Sequence, residues 1–182
     1  MKRLNVILLG LMVLGLTATS FKSVEEGQEE GLVKWYSFEE AVALNKKKPK
    51  KIFIDVYTDW CGWCKKMDKA TFNHPKIAKY LNENYYPVKL NAEQKEDIEF
   101  DGHTFKWVEG GRSGIHELAY SLLQGKMSYP TVVFMDEQFR MLSPVPGYLE
   151  APVFEKIITY YGDDNYKETP WAEYQENFKS SL

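Results

Sequence analysis

The chain has 182 residues, of which 44% are hydrophobic and 15% aromatic. This length and apolar content are enough for one well-packed domain but short for two. Its 23 basic and 26 acidic side chains give a formal net charge of −3. With so small and negative a charge, we expect neither nucleic acid nor an anionic membrane surface as a partner.

The first 20 residues have the pattern of a secretory signal peptide. Lys2 and Arg3 precede an apolar run, residues 4–16, which leads into small residues that end at Ser20. The run is short for a membrane-spanning helix, which needs roughly 20 apolar residues. We therefore expect cleavage near Ser20 and a periplasmic or secreted protein without stable membrane insertion. An uncleaved N-terminal anchor is the alternative.

A polar segment rich in Glu and Gly follows, and we expect residues 21–33 to be a disordered leader. Ser37 and Glu40 then form a capping-box pattern in front of a short helix. The apolar and β-branched run 52–57 predicts a buried strand. A Cys-Gly-Trp-Cys motif at residues 61–64 comes soon after that strand.

The pattern after the motif is helical as far as Pro75, which opens a second helical stretch. Residues 86–91 predict the next strand. Residues 93–124 have signals of their own, because an Asp-Gly turn at 101–102 predicts a hairpin and residues 115–123 predict a short amphipathic helix. We interpret residues 93–124 as an insertion of a hairpin plus a helix.

The last third of the chain opens with a Tyr129-Pro130 step. From there the pattern predicts two strands of an antiparallel hairpin, a closing helix and a C-terminal extension with helical spacing near its middle. The predicted elements are a strand over 131–135, a turn over 136–138, a strand through Phe139, Met141 and Leu142, a helix from 151 to about 161, and the extension over 163–182.

The chain's two cysteines, Cys61 and Cys64, both lie in the motif. Disulfides persist in oxidising compartments, so the expected export is compatible with a disulfide here. A disulfide that closes so short a loop stabilises a fold by about 2 kcal/mol, which is less than a long-range crosslink contributes. The pattern therefore favours redox chemistry over a purely structural bond.

Metal binding is the chemical alternative, because a Cys-x-x-Cys pair is also half of a zinc site. The sequence has no second cysteine pair, and its histidines, His74, His103 and His116, are scattered singly. Each is more often a surface or packing residue than a ligand. We therefore expect no metal and no other cofactor.

The order of strand, Trp-Cys-x-x-Cys, helix, strand, helix, x-Pro, hairpin and final helix resembles the thioredoxin superfamily. Residues 52–65 and 129–134 carry this resemblance. More narrowly, the run from Thr58 to Met67 looks like exported bacterial thioredoxin-like proteins with an insertion before a cis-proline. The resemblance implies an α/β thioredoxin fold over residues 34–162, with a central mixed β-sheet flanked by helices.

The two cysteines are expected to act in sequence. Cys61 lies at the start of a predicted helix, where unpaired N–H groups favour a thiolate, so it is the predicted attacking residue. Cys64 lies one helical turn later and would resolve the mixed disulfide. By resemblance, Asp55 matches the buried acid of thioredoxins and would be a general base toward Cys64. A structural Asp55 bonded to Lys89 or to water is the alternative.

Pro130 matches the cis-proline that faces the cysteines in this superfamily. A cis bond after Tyr129 would turn a backbone edge toward Cys61, where an extended substrate peptide could add strand-like hydrogen bonds. Trp60, next to Cys61, completes the expected substrate-binding set with Tyr129 and Pro130. A trans proline that enters a strand is the alternative.

Together these features predict an exported thiol–disulfide oxidoreductase that exchanges disulfides with protein substrates as a reductase. A separate redox partner would recycle it. An oxidase or isomerase is an alternative within the enzymes, because tens of millivolts separate these roles. A thioredoxin-fold binding or folding-assistance module without redox turnover is the alternative from another class.

Overall fold

The computed structural model describes residues 32–111 and 113–182. The predicted signal peptide and most of the predicted leader lie outside these residues. Leu32 and Val33 lie inside them, and the prediction of a disordered leader is wrong for both. The side chain of Asn82 donates to the carbonyl of Leu32 and accepts from the backbone N–H of Lys34, while Val33 is buried.

In the described residues the chain forms six α-helices and eight β-strands. The helices are α1 (Phe38–Lys47), α2 (Gly62–Met67), α3 (Pro75–Asn84), α4 (Glu117–Leu122), α5 (Ala151–Gly162) and α6 (Trp171–Asn177). The strands are β1 (Lys51–Tyr57), β2 (Tyr85–Asn91), β3 (Ile98–Phe100), β4 (His103–Phe105), β5 (Trp107–Val108), β6 (Ile115–His116), β7 (Thr131–Met135) and β8 (Met141–Pro146). A π-helical turn, Asp68–Phe72, follows α2, and a short 3₁₀ turn, Asn165–Lys167, follows α5. None of the helices within the described ranges is long and apolar enough to cross a membrane.

The central sheet has four strands in the order β2-β1-β7-β8. Strand β1 pairs in parallel with β2 and antiparallel with β7, and β7 pairs antiparallel with β8. Successive side chains of β1 point to opposite faces. Ile54 packs with α1 and the insertion, whereas Phe53 packs with α3 and α5. The structure therefore confirms a mixed sheet flanked by helices on both faces.

The second strand of the C-terminal hairpin differs from its prediction at both ends. It begins at Met141 because Phe139 has a left-handed backbone, with a φ of 62°, and closes a turn onto the carbonyl of Asp136. It continues to Pro146 in spite of Pro144. Proline lacks an N–H to donate, and strand β8 tolerates it because β8 lies at the edge of the sheet.

The insertion contains the predicted hairpin, formed by β3 and β4. Its helix is shorter than predicted, because Ile115 and His116 pair with Trp107 and Val108 in a second small ladder, β5 with β6. His116 is buried and caps α4, with its Nδ1 accepting from the N–H of Leu118. The sequence analysis did not predict this ladder, because strands of two residues are too short to show an alternating pattern.

Two further predictions concern helices. The capping box is confirmed, because the side chain of Ser37 accepts from the N–H of Glu40 and that of Glu40 accepts from the N–H of Ser37. The helical spacing in the C-terminal extension corresponds to α6, which packs on α5 through the edge-on rings of Trp171 and Tyr160.

The centre of the core on the α3 and α5 side is Phe53. Its buried ring contacts five others at centroid distances between 5.4 and 6.4 Å, those of Trp35, Phe72, Tyr85, Phe134 and Phe154.

We expect Phe53→Ala to lower the free energy of unfolding by about 3–5 kcal/mol, because it empties the centre of this cluster. Urea unfolding followed by circular dichroism measures the change. Met141→Ala, at an exposed position of β8, is the control and should change it by less than about 0.5 kcal/mol. Equal unfolding midpoints for the two variants would contradict the central role of Phe53.

Candidate active site

The two cysteines lie where β1 passes into α2. Cys61 is the N-cap residue of α2, and its own N–H donates to the carbonyl of Thr58. Cys61 and Cys64 form a disulfide, with their Cα atoms 5.3 Å apart. The strand, the turn and the short helix thus bring both sulfur atoms to one end of the central sheet.

Exposure does not separate the two cysteines in this disulfide state. The exposed fraction is 4% for Cys61 and 2% for Cys64, so both residues are buried. Hydrogen bonding separates them, because the backbone N–H of Cys64 donates to Sγ of Cys61 over 3.0 Å. A donor at this position would stabilise a thiolate on Cys61 after reduction.

Asp55 lies in β1, six residues before Cys61, and is 1% exposed. The parallel register sets it opposite Lys89 of β2, and the two side chains form an ion pair. Its other oxygen, Oδ1, is buried and has no hydrogen-bond partner among the described residues. The structural contact with Lys89 that the sequence analysis offered as an alternative is therefore present, and one oxygen remains free to take a proton.

Lys89 has a second carboxylate partner, Asp68, which the sequence analysis did not single out. Asp68 begins the π-helical turn and follows Cys64 by four residues, about one helical turn. That spacing was the available signal. The lysine ammonium also lies about 5 Å from the rings of Trp35 and Tyr57, at 4.9 and 5.0 Å. Its positive charge is thus shared between a buried carboxylate and a half-exposed one.

The pKa of Asp55 is raised to about 6, because the upward effect of burial, with a smaller one from the negative charge of Asp68, outweighs the downward effect of Lys89. For Lys89, burial acts to lower the pKa, but the two carboxylates outweigh it and the net direction is upward. Lys89 therefore stays charged at neutral pH, and Asp55 is a carboxyl group that can gain and lose a proton close to neutrality.

The predicted substrate-binding residues also come together. The peptide bond between Tyr129 and Pro130 is cis, as the resemblance implies. The ring of Trp60, 66% exposed, meets that of Tyr129 edge-on at a centroid distance of 5.9 Å. The N–H of Gly147 donates to the carbonyl of Pro130, which ties the loop after β8 to the cis bond.

A second aromatic pair, missed in the sequence analysis, includes an exposed residue of the motif. Trp63, between the two cysteines, is 57% exposed and packs against Tyr148 at a centroid distance of 5.4 Å. The ammonium of Lys66 lies 4.8 Å from both rings. The position of Trp63 inside the motif was the signal for this pair, whereas nothing local indicated Tyr148.

Comparisons with known proteins agree with this geometry. The family model Thioredox_DsbH, described as a protein of unknown function, DUF255, matches residues 24–145. A thioredoxin-fold protein from Helicobacter pylori has a similar structure, with a TM-score of 0.55 and 15% identity, over 82% of this chain and 88% of that one. At this identity the likeness shows the fold, which confirms the predicted thioredoxin architecture.

Two curated relatives are similar in sequence. Spermatogenesis-associated protein 20 of Mus musculus is 35% identical over 83 residues, which is 45% of this chain and 10% of that protein. The thiol:disulfide interchange protein DsbD of Cronobacter sakazakii is 25% identical over 114 residues, 62% of this chain and 17% of that protein. The chain therefore spans less than a fifth of the length of either relative.

Because the pKa of Asp55 is higher in the folded state than the ordinary 3.8, folding favours its protonated form. Its contribution to stability is present in full below about pH 4 and is lost as the pH rises through about 6. Asp55→Asn cannot ionise. We expect the free energy of unfolding of the variant, relative to the wild type, to increase between about pH 4 and pH 7.

Urea unfolding of the oxidised protein at several pH values measures this difference. Asp59→Asn, at an exposed position two residues after β1, is the matched control and should give a nearly constant difference. A difference for Asp55→Asn that does not change with pH would show that ionisation of Asp55 carries no cost in the fold.

Proposed function

The chain belongs to the Thioredox_DsbH family, and from this premise we propose that it is an exported thiol–disulfide oxidoreductase that reduces disulfides in protein substrates. The observation that carries the proposal is the Cys61–Cys64 disulfide at the N-terminus of α2, with a backbone N–H donated to Sγ of Cys61. The similarity to a protein whose name describes thiol:disulfide interchange supports the same chemistry.

The reaction begins with the reduced pair. The Cys61 thiolate attacks one sulfur of a substrate disulfide, forms a mixed disulfide and releases the first substrate thiolate. Cys64 then loses its proton and attacks Sγ of Cys61, which forms the Cys61–Cys64 disulfide and releases the second substrate thiolate. Two electrons thus pass from the Cys61–Cys64 pair to the substrate, and the proton that Cys64 gives up and a second one from water protonate the two released thiolates.

Asp55 is the proposed base for the second step. Its buried Oδ1 has no hydrogen-bond partner among the described residues, and its pKa of about 6 suits proton transfer near neutral pH. Burial raises this value above the ordinary one, Lys89 lowers it, and the negative charge of Asp68 raises it. When the Cys64 thiol transfers its proton to Asp55, the negative charge moves to the sulfur that attacks.

Trp60, Tyr129 and Pro130 are the proposed contact surface for the substrate. The cis bond at Pro130 lies at the start of β7, so a substrate segment could pair with the backbone before that strand. The exposed ring of Trp60 would cover the apolar part of the segment. Protein substrates fit this surface better than small disulfides do, because they fill both parts of it.

Two further parts of the proposal rest on sequence. The basic start, apolar run and small residues of positions 1–20 support export to the periplasm or beyond. Repeated reduction of substrates also needs a dithiol donor, so a separate redox partner must return two electrons to the Cys61–Cys64 disulfide.

The reduction potential of the Cys61–Cys64 disulfide decides whether the protein reduces or oxidises its substrates. Equilibration with glutathione or dithiothreitol, followed by mass spectrometry, measures it. We expect a value near that of thioredoxin, about −270 mV, whereas a value near about −120 mV would make the protein an oxidant. If no reversible disulfide forms, a binding module without redox turnover is the better description.

Serine variants of the two cysteines should differ in the mixed disulfide that they form. With insulin as the disulfide substrate, Cys64→Ser is expected to accumulate a covalent mixed disulfide through Cys61, because the resolving thiol is missing. Cys61→Ser should form none and should lose turnover. Non-reducing gel electrophoresis and mass spectrometry distinguish these outcomes, and equal trapping by both variants would contradict the assigned order of attack.

Asp55→Asn should slow the second step specifically. We expect release of the mixed disulfide to slow by at least about tenfold near neutral pH, because the base is lost. The rate at which Cys61 forms the mixed disulfide should change less. Rapid acid quenching at several pH values separates the steps, with Asp59→Asn as the control, and equal slowing of both steps would argue against a base.

A further inference from the structure

Glu93 connects the insertion to the rim of the active site. It stands two residues after β2, and its N–H donates to the side-chain oxygen of Asn91 over 2.9 Å, which fixes the turn. Its Oε1 accepts from the indole N–H of Trp60 over 2.9 Å. A residue at the start of the insertion therefore bonds directly to the aromatic side chain that precedes Cys61.

The same carboxylate oxygen also accepts from the hydroxyl of Ser113. Ser113 lies between β5 and β6, and its carbonyl accepts from the indole N–H of Trp107 over 3.2 Å. Gly114 allows the chain to pass this ring closely. It has a φ of +69°, and a Cβ there would lie 2.3 Å from the Trp107 ring. The small β5–β6 ladder thus holds Ser113 where its hydroxyl reaches Glu93.

These bonds matter because of the exposure of Trp60. An indole that is 66% exposed has few packing contacts to select one orientation. Among the described residues, the edge-on ring of Tyr129 and the hydrogen bond to Glu93 hold it in place. Holding a recognition side chain in its bound orientation before the partner arrives reduces the entropy lost on binding.

We propose that Glu93, oriented by Ser113, is a positioning residue that holds Trp60 against Tyr129 and so sets the affinity for protein disulfides. This inference rests on the proposed function and deepens it. The reacting sulfur atoms are untouched, so the effect lies in substrate binding rather than in the exchange steps. The insertion then acts on substrate choice through one hydrogen bond rather than through direct contact with the substrate.

Single-turnover oxidation of the pre-reduced protein by insulin tests the inference. The rate of Cys61–Cys64 disulfide formation, measured by acid quenching and mass spectrometry over a range of insulin concentrations, gives a half-saturating concentration and a maximal rate. For Glu93→Ala we expect the half-saturating concentration to rise about fivefold, while the maximal rate changes less than about twofold.

Two companion variants and one control sharpen this test. Glu93→Gln keeps a side-chain oxygen that can accept from the indole, so it should remain within about twofold of the wild type. Ser113→Ala should shift the half-saturating concentration in the same direction as Glu93→Ala, but less. Glu83→Ala removes an exposed acid on α3 whose salt bridge is to Lys79, and it should behave as the wild type.

A spectroscopic readout checks the hydrogen bond itself. The chain has five tryptophans, and Trp60→Phe assigns the indole N–H signal of Trp60 in a ¹H–¹⁵N spectrum. Glu93→Ala should shift that signal, and Glu83→Ala should leave it in place. An unmoved signal in Glu93→Ala would overturn the proposed contact.

The kinetic outcomes separate the inference from the function on which it rests. If the wild type is oxidised by neither insulin nor 2-hydroxyethyl disulfide, the proposed function fails and this inference with it. If the wild type reacts, two results for Glu93→Ala would overturn only the positioning role of Glu93. One is a fall in the maximal rate as large as the rise in the half-saturating concentration, and the other is no change in either quantity.

Discussion

The ion pair between Asp55 and Lys89 is the interaction on which the site depends. A carboxylate in the middle of a buried strand is costly unless a partner stabilises it, and the parallel register of β1 and β2 supplies that partner directly opposite. Asp68 also forms an ion pair with Lys89, so the stabilisation of Asp55 by this lysine is incomplete. Burial raises the pKa of Asp55 more than Lys89 lowers it, so this acid has a pKa of about 6, close to neutrality rather than far below it.

The fold brings the remaining parts to this acid from separate stretches of sequence. The cysteine motif follows β1, the cis bond precedes β7, and Glu93 follows β2, so the three meet because their strands are neighbours or nearly so in one sheet. The motif supplies the sulfur atoms, the cis-proline region offers backbone, and the insertion orients an indole. Because these contributions come from different segments, the positioning role that we propose for the insertion is separate from the redox chemistry of the motif.

Local signals predicted much of this arrangement. The capping box, the buried strand before the motif and the Asp-Gly hairpin each depend on neighbouring residues, and all three are present. What the sequence could not supply depends on long-range contact. Tyr148 meets Trp63 from 85 positions away, Glu93 accepts a hydrogen bond from Trp60, and a two-residue ladder brings Ser113 beside Glu93. The predicted start of β8 was wrong because the sequence does not indicate that the backbone of Phe139 is left-handed.

The two outer strands of the sheet have a consequence for self-association. Exposed strand edges can pair with other chains and start aggregation, and proline or a covering segment prevents this. Here β8 carries Pro144 and Pro146, while β2 carries Pro87 and is covered at Tyr36, whose backbone bonds to Pro87 and Lys89. Under the proposed function, an extended substrate pairs with backbone near the cis bond, whereas the two outer edges of the sheet resist pairing with a second copy.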